Sequence, residues 1–288
     1  MRAISGREGR YFTAALLLAA LALLAGCAAP GGRELWAELS ARGINSGFTP
    51  LIIQTPPLAL SALLKAPQNG ATPEYLAIYL EGDGRVHTPR GKLRDDPTPS
   101  RSLVFELARL DPAPAVLYLA RIGQYQPEYA GEAYQTYWSD GRLGPAVVRA
   151  ADEAVTQIKA HTGAERIYLI GYSGGGGLAC LLAARRNDVA GLITVAGLLD
   201  HVWWTDANGW PPLYASLNPA DFADKLANIP QIHFYGTKDE LITPEMSARF
   251  ASLAEFQDFT RASVPAGHND GWQDAWPGLL QKYVLPMR

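Results

Sequence analysis

Cysteine is nearly missing from this chain, with two in 288 residues. That excludes a disulfide framework as the source of stability, and no cysteine or histidine spacing suited to zinc occurs, so no metal or other cofactor is expected. Neither staple is needed, because a chain of this length buries about three quarters of the surface its unfolded form exposes. Clustered positive charge is also missing beyond the first residues, and the formal net charge is −3. Without a run of Lys and Arg there is no electrostatic footprint for nucleic acid. Charged residues make up 18% and hydrophobic ones 48%, an ordinary globular balance for one domain.

The first segment stands apart. Arg2, Arg7 and Arg10 precede an apolar run from Ala14 to Ala25, and Leu24-Ala25-Gly26-Cys27 closes it. This resembles a secretory signal ending in the lipobox of bacterial lipoproteins, which implies removal of residues 1–26 and a lipid on Cys27. The stretch Tyr11 to Ala29 also approaches the roughly 20 residues that cross a bilayer, so an uncleaved anchor or a plain signal peptide stays open. On every reading the remainder is exported, and with a lipid anchor it is held at a membrane of the cell envelope. Cys180 is then left without an intramolecular partner, and its place among Leu and Ala makes it a small buried hydrophobe. Residues 27–47 read as a tether, with at most a helical turn around Leu35 to Leu39, and residues 48–288 as the folded domain.

Within that domain short apolar runs alternate with helical spacings. Thr49 to Thr55 and Leu58 to Lys65, parted by Pro56-Pro57, suit two antiparallel strands at a sheet edge. Further strands are expected at Glu74 to Leu80, Ala115 to Ala120, Ile167 to Ile170, Val189 to Ala196, Ile229 to Gly236 and Phe259 to Val264. The runs are apolar on both sides, as in a parallel sheet covered on both faces. Helices are expected near 102–110, 144–161, after Ser173 as far as Arg185 and Arg186 with Asn187 as C-cap, near 219–226, and near 243–253. Strand and helix in alternation give an α/β fold with a mostly parallel central sheet and helices on both faces.

Gly171-Tyr172-Ser173-Gly174-Gly175 follows the strand Ile167 to Ile170 and opens a helix. The pattern resembles the G-x-S-x-G nucleophile elbow of the α/β-hydrolases. The resemblance implies Ser173 as nucleophile and the Gly174 N–H as one oxyanion donor. By place and glycine content Gly82-Asp83-Gly84, after the strand ending at Leu80, matches the loop that lends the second N–H, with Asp83 as donor and its carboxylate turned away. Gly236-Thr237-Lys238-Asp239 resembles the turn that carries the family's acid, and His268 lies in the loop where its histidine is found. Asp200, after the preceding strand, is the alternative acid. Ser173, Asp239, His268 is the family's chain order, and a serine hydroxyl needs such a base to attack at neutral pH.

Two loops leave alternatives. The aromatic residues between Arg121 and Gly144, namely Tyr125, Tyr129, Tyr134, Tyr137 and Trp138, form either a substrate wall or rings packed beneath a long loop. The segment Leu198 to Leu226, with Trp203, Trp204 and Trp210, is a small lid or a decorated crossover. The function expected is a serine esterase acting on small-molecule carboxylic esters through an acyl-enzyme. A serine peptidase, a thioesterase, or an inactive binding lipoprotein on the same fold are the alternatives. Oligomeric state is not legible.

Overall fold

The computed structural model describes residues 30–67, 70–129 and 131–288. The expected signal segment 1–26 and the expected lipidation site Cys27 lie outside the described residues. Residues 32–288 form one compact unit.

A single sheet of eight strands runs through that unit in the order β1-β2-β4-β3-β5-β6-β7-β8. The strands are β1 Thr49–Thr55, β2 Leu58–Lys65, β3 Tyr75–Leu80, β4 Ala115–Leu119, β5 Arg166–Tyr172, β6 Val189–Val195, β7 Gln231–Gly236 and β8 Phe259–Val264. β1 and β2 pair antiparallel, as does β2 with β4, and every other pairing is parallel. This is the mostly parallel sheet that the near-continuous apolar runs call for.

Strand periodicity divides the core into two layers. Leu76, Ile78 and Leu80 of β3 face one layer together with Leu117 and Leu119 of β4 and Leu169 of β5. Ala77 and Tyr79 face the other with Val116, Tyr118 and Ile170. Helices cover both layers, which is why the strands carry apolar side chains on both sides. The first layer is closed by α3 (Pro145–Thr162), α4 (Gly174–Ala183) and α7 (Pro244–Ala251). The second is closed by α1 (Gly32–Asn45), α2 (Leu103–Leu110) and α8 (Trp272–Leu279). Between them in sequence lie α5 (His201–Ala207) and α6 (Ala223–Leu226).

The helix α1 corrects the tether expected over residues 27–47. From Gly32 onward the chain is helical, and Leu35 and Leu39, one turn apart, are 6% and 4% exposed beside Phe48 and Leu63. The approach is close, since a Cβ on Gly43 would lie 2.9 Å from the Leu63 side chain. The Gly32 N–H also donates to Asp96 at 2.8 Å. Only two leucines mark the buried face, and the other positions are mostly polar, so the helical period is weak in the sequence. The end of α4 is a smaller correction. It stops at Ala183 with Ala184 as C-cap, and Asn187 lies beyond it. Arg186 turns instead to Asp152 and Asp188 at 2.6 and 2.7 Å.

The chain leaves β3 toward β4 on one side and returns across it to β5 on the other. Loops that follow β3 and β5 therefore part at this point and open a crevice at the carboxyl edge of the sheet, where α/β proteins place their ligands.

If α1 belongs to the domain, Leu39→Ala destabilises it by about 2–4 kcal/mol, as for other large-to-small core changes. Ile44→Ala, at a position 60% exposed on the same helix, shifts it by less than about 0.5 kcal/mol. Urea unfolding followed by circular dichroism measures both, and equal, negligible effects would restore the tether.

Candidate active site

The turn from β5 into α4 is made by sterically obligatory glycines. Ser173 has φ 53° and ψ −124°, a strained conformation for a residue with a side chain. Its N–H donates to the Val195 carbonyl at 3.0 Å, and its own carbonyl accepts from Gly176 at 2.9 Å and Leu198 at 2.9 Å. A Cβ on Gly171 would lie 2.1 Å from the Gly175 carbonyl oxygen, and one on Gly175 only 2.3 Å from that of Leu80. Backbone meets backbone at both places, so the first and last glycines of G-x-S-x-G permit the helix to pass over the strand ends. The serine side chain is what the turn thrusts out.

Two residues far along the chain meet it. The Ser173 hydroxyl is 3.1 Å from His268 Nε2, and His268 Nδ1 is 2.8 Å from Asp239 Oδ2. Asp239 is 4% exposed. Its second oxygen, Oδ1, accepts the N–H groups of Leu241 and Ile242, both at 2.9 Å. Its carboxylate is thereby fixed by the turn that follows β7. Asp200, the alternative acid, is engaged elsewhere. It caps α5 by accepting from Trp203 N at 3.1 Å, accepts from Asn218 at 3.1 Å, and pairs with Arg249 at 2.9 Å. Burial opposes its charge, but these partners hold its carboxyl below the ordinary carboxylate range.

The loop after β3 comes to the opposite side of the serine. Gly82 N–H donates to Glu81 Oε1 at 2.9 Å, and Gly82 carbonyl accepts from Gln124 Nε2 at 2.9 Å. Among the described residues, neither the Asp83 N–H nor the Gly174 N–H has a hydrogen-bond partner within the chain. The Asp83 carboxylate does not turn away from the elbow as expected. It lies against Gly174, where an added Cβ would come within 2.0 Å of its Oδ1, because two arginines fasten it there. Arg121 Nη1 is 3.2 Å from Oδ1 and Arg142 Nη1 is 2.9 Å from Oδ2. Although burial opposes ionisation, Arg142 and Arg121 bring the Asp83 carboxyl below its usual value.

This architecture is matched widely among solved structures. Est1E from Butyrivibrio proteoclasticus is similar at TM-score 0.60 and 16% identity, over 83% of this chain and 98% of its own. A family model described as the alpha/beta hydrolase fold matches residues 138–228, which include the serine elbow. The chain has the α/β-hydrolase fold. An esterase from Pyrococcus furiosus, Pf2001, is similar at TM-score 0.62 and 12% identity, over 86% of this chain and 95% of that one. An acylaminoacyl peptidase from Pyrococcus horikoshii is similar at TM-score 0.61 and 15% identity, over 84% of this chain but 41% of that longer one. Among curated proteins no sequence matches.

In this α/β-hydrolase fold Ser173 and His268 line a cleft of about 1660 Å³ together with Gly82, Asp83 and Arg142, while the Asp239 side chain is buried behind His268. That is larger than an ordinary small-molecule pocket. One wall comes from the segment after β6 and is aromatic and apolar: Trp204, Trp210, Pro211, Pro212 and Leu213. The rings of Trp204 and Trp210 meet edge to face at 4.7 Å, and Trp204 Nε1 donates to the Leu241 carbonyl at 2.9 Å. The segment, whichever of the two alternatives it is, contributes a wall of the cleft. The aromatic loop after β4 does not line the cleft with its rings. Tyr125 and Trp138 are buried at 4% and 2%, and Tyr129 and Tyr134 stack edge to face against each other.

Several side chains at the site carry little sequence signal. Tyr172, the variable position inside the motif, donates to the His268 carbonyl at 2.9 Å, and its hydroxyl is also 2.9 Å from Asn269 Oδ1. It braces the histidine loop from beneath, with the two rings 5.3 Å apart. Its place inside the motif was the available clue. Arg121, Gln124 and Arg142 sit in a segment read for its aromatic residues, and nothing local marks them. Cys180 is fully buried in α4, and burial pushes its thiol up to about 12, where it is inert at neutral pH.

The packing at the elbow leads to a direct expectation. Gly175→Ala drives a methyl into the Leu80 and Glu81 carbonyls, and overpacking against backbone costs about 2 kcal/mol or more. Gly278→Ala, where an added Cβ meets nothing within 4 Å, serves as the control and leaves the thermal midpoint within a degree or two.

Proposed function

We propose that this chain is an exported serine hydrolase that cleaves small-molecule carboxylic esters through an acyl-enzyme. One observation carries the reading: a continuous hydrogen-bond chain from Ser173 through His268 to Asp239, opening on a cleft beside two backbone N–H groups that have no partner among the described residues. Asp239 accepts from Nδ1 and so keeps the lone pair of Nε2 directed at the serine. As the Ser173 oxygen attacks the ester carbonyl, its proton passes to Nε2. The carbonyl oxygen becomes an anion held by the N–H groups of Gly174 and Asp83. Collapse expels the alcohol, which takes the proton from Nε2. Water then attacks the acyl-enzyme with His268 again as base, releasing the acid and restoring the hydroxyl.

The ester preference is supported by the apolar wall of Trp204, Trp210 and Leu213, which suits an aromatic or medium-length aliphatic group more than a charged one. A solved structure of Est1E has ferulic acid bound, and a group of that size would fit a cleft of these dimensions. The peptidase alternative draws on the similarity to acylaminoacyl peptidase, since the same proton chain can serve an amide. Export rests on the basic and apolar N-terminal segment and Cys27 in its lipobox-like context, which we read as a lipid anchor in a cell-envelope membrane. Among the described residues no helix is long and apolar enough to cross a membrane.

A fluorophosphonate probe is expected to modify wild-type protein at Ser173 and to leave Ser173→Ala unmodified. Hydrolysis of p-nitrophenyl butyrate should fall by about 10⁴-fold or more in that variant, with p-nitroanilides of the same acyl group turned over more slowly than esters by wild type. Folded wild-type protein that neither labels nor hydrolyses any ester or anilide would favour a binding protein on this fold.

A further inference from the structure

An oxyanion loop needs a backbone N–H from the residue at position 83 and has no evident use for an acidic side chain there. The Asp83 oxygen that lies 2.0 Å from the Cβ position of Gly174 is, by covalent dimensions, no more than roughly 4.5 Å from the Gly174 nitrogen. Negative charge developing on a substrate oxygen between the Gly174 and Asp83 N–H groups would face that carboxylate at comparably short range. In a poorly screened interior the repulsion between two such charges is strong.

The surroundings answer this repulsion. Each carboxylate oxygen has its own guanidinium, Arg121 on Oδ1 and Arg142 on Oδ2. Both cations are fixed in turn: Arg121 Nη2 donates to the Arg142 carbonyl, and Arg142 Nε donates to the Ser139 carbonyl at 2.6 Å. The Arg121 N–H donates to Gln124 Oε1 at 3.0 Å, and the same amide holds the Gly82 carbonyl. The peptide that presents the Asp83 N–H is thereby tied down through its side chain and through the carbonyl just before it. The two guanidiniums face the Asp83 carboxylate directly, and Arg121 also lies in the field of the buried Glu81 carboxyl that holds the Gly82 N–H.

We propose that Arg142, acting with Arg121, is a positioning residue for acyl transfer, cancelling the Asp83 charge beside the oxyanion and holding the loop so that the Asp83 N–H points into the cleft. The inference rests on the hydrolase reading above. It gives the arginines a purpose that a purely structural ion pair lacks: what matters is the balance of charge at the elbow. Arg142 is the better handle, since it lines the cleft.

The experiment is a mutant cycle read by the second-order rate of fluorophosphonate labelling at Ser173, which needs no known substrate because the phosphonyl oxygen occupies the same donors. R142Q leaves the carboxylate under-compensated and is expected to label about 10²-fold more slowly, the scale of losing one oxyanion donor. Adding D83N to R142Q removes the charge that Arg142 offset, and the double variant should label at least tenfold faster than R142Q alone. A double variant as slow as R142Q, or an R142Q that labels within threefold of wild type, overturns the proposal. Thermal melts establish that each variant is folded. Should R142Q unfold, R142K is read in its place: labelling within about tenfold of wild type supports charge compensation, and a folded R142K slowed 10²-fold or more overturns it. Wild-type protein that the probe does not modify fails the hydrolase reading itself and is thus told apart from a failure confined to the arginines.

Discussion

The whole site depends on how closely helix α4 passes over the ends of β3 and β5. Backbone atoms of Gly171 and Gly175 touch neighbouring backbone with no room for a methyl group, and the conformation of Ser173 is a consequence of that proximity. A helix held farther off would let the serine relax into an ordinary turn, and its hydroxyl would no longer project over the sheet edge. The strain at one residue is sustained by packing around it, because every side chain of α4 lies in the interior. Stability of the core and geometry of the serine are therefore the same physical matter in this chain.

Around that fixed point the sheet order does the rest. Parallel strands deliver the ends of β3, β5 and β7 and the loop after β8 to one edge, so residues remote in sequence converge without any long excursion of the chain. The reversal between β3 and β5 opens the crevice, and the segment after β6 supplies an indole-rich side to it. Ser173, Asp239 and His268 thus follow closely on strand ends, while the indole-bearing wall sits on a longer connection.

Much of this was legible from the residues, for reasons that can be named. Strands such as β2 and β8 are bounded by Pro, Gly or charge and are apolar or alternating throughout, so the sequence and the structure agree on their limits. The elbow was legible because steric necessity writes glycine at fixed positions. What escaped notice had weak or distant causes. Helix α1 turns only two leucines inward, too few to reveal a period. Chain position alone did not separate Asp239 from Asp200. That choice depends on Arg249 and Asn218, which draw Asp200 aside and are visible only once the chain is folded. The arginines on Asp83 were hidden for the same reason, each being an unremarkable basic residue until β4 and the turn before α3 bring them together.

The seat left open by the missing side chain at position 174 has a further meaning. The fourth letter of the elbow pattern is free in principle, yet here it is constrained by an anion that arrives from another strand and fills the space a methyl group would take. Positions 83 and 174 are consequently one choice written in two places. Removing the acid leaves room for a side chain at 174, whereas a side chain placed there first must displace a carboxylate that two guanidiniums hold, so the two positions cannot be altered independently.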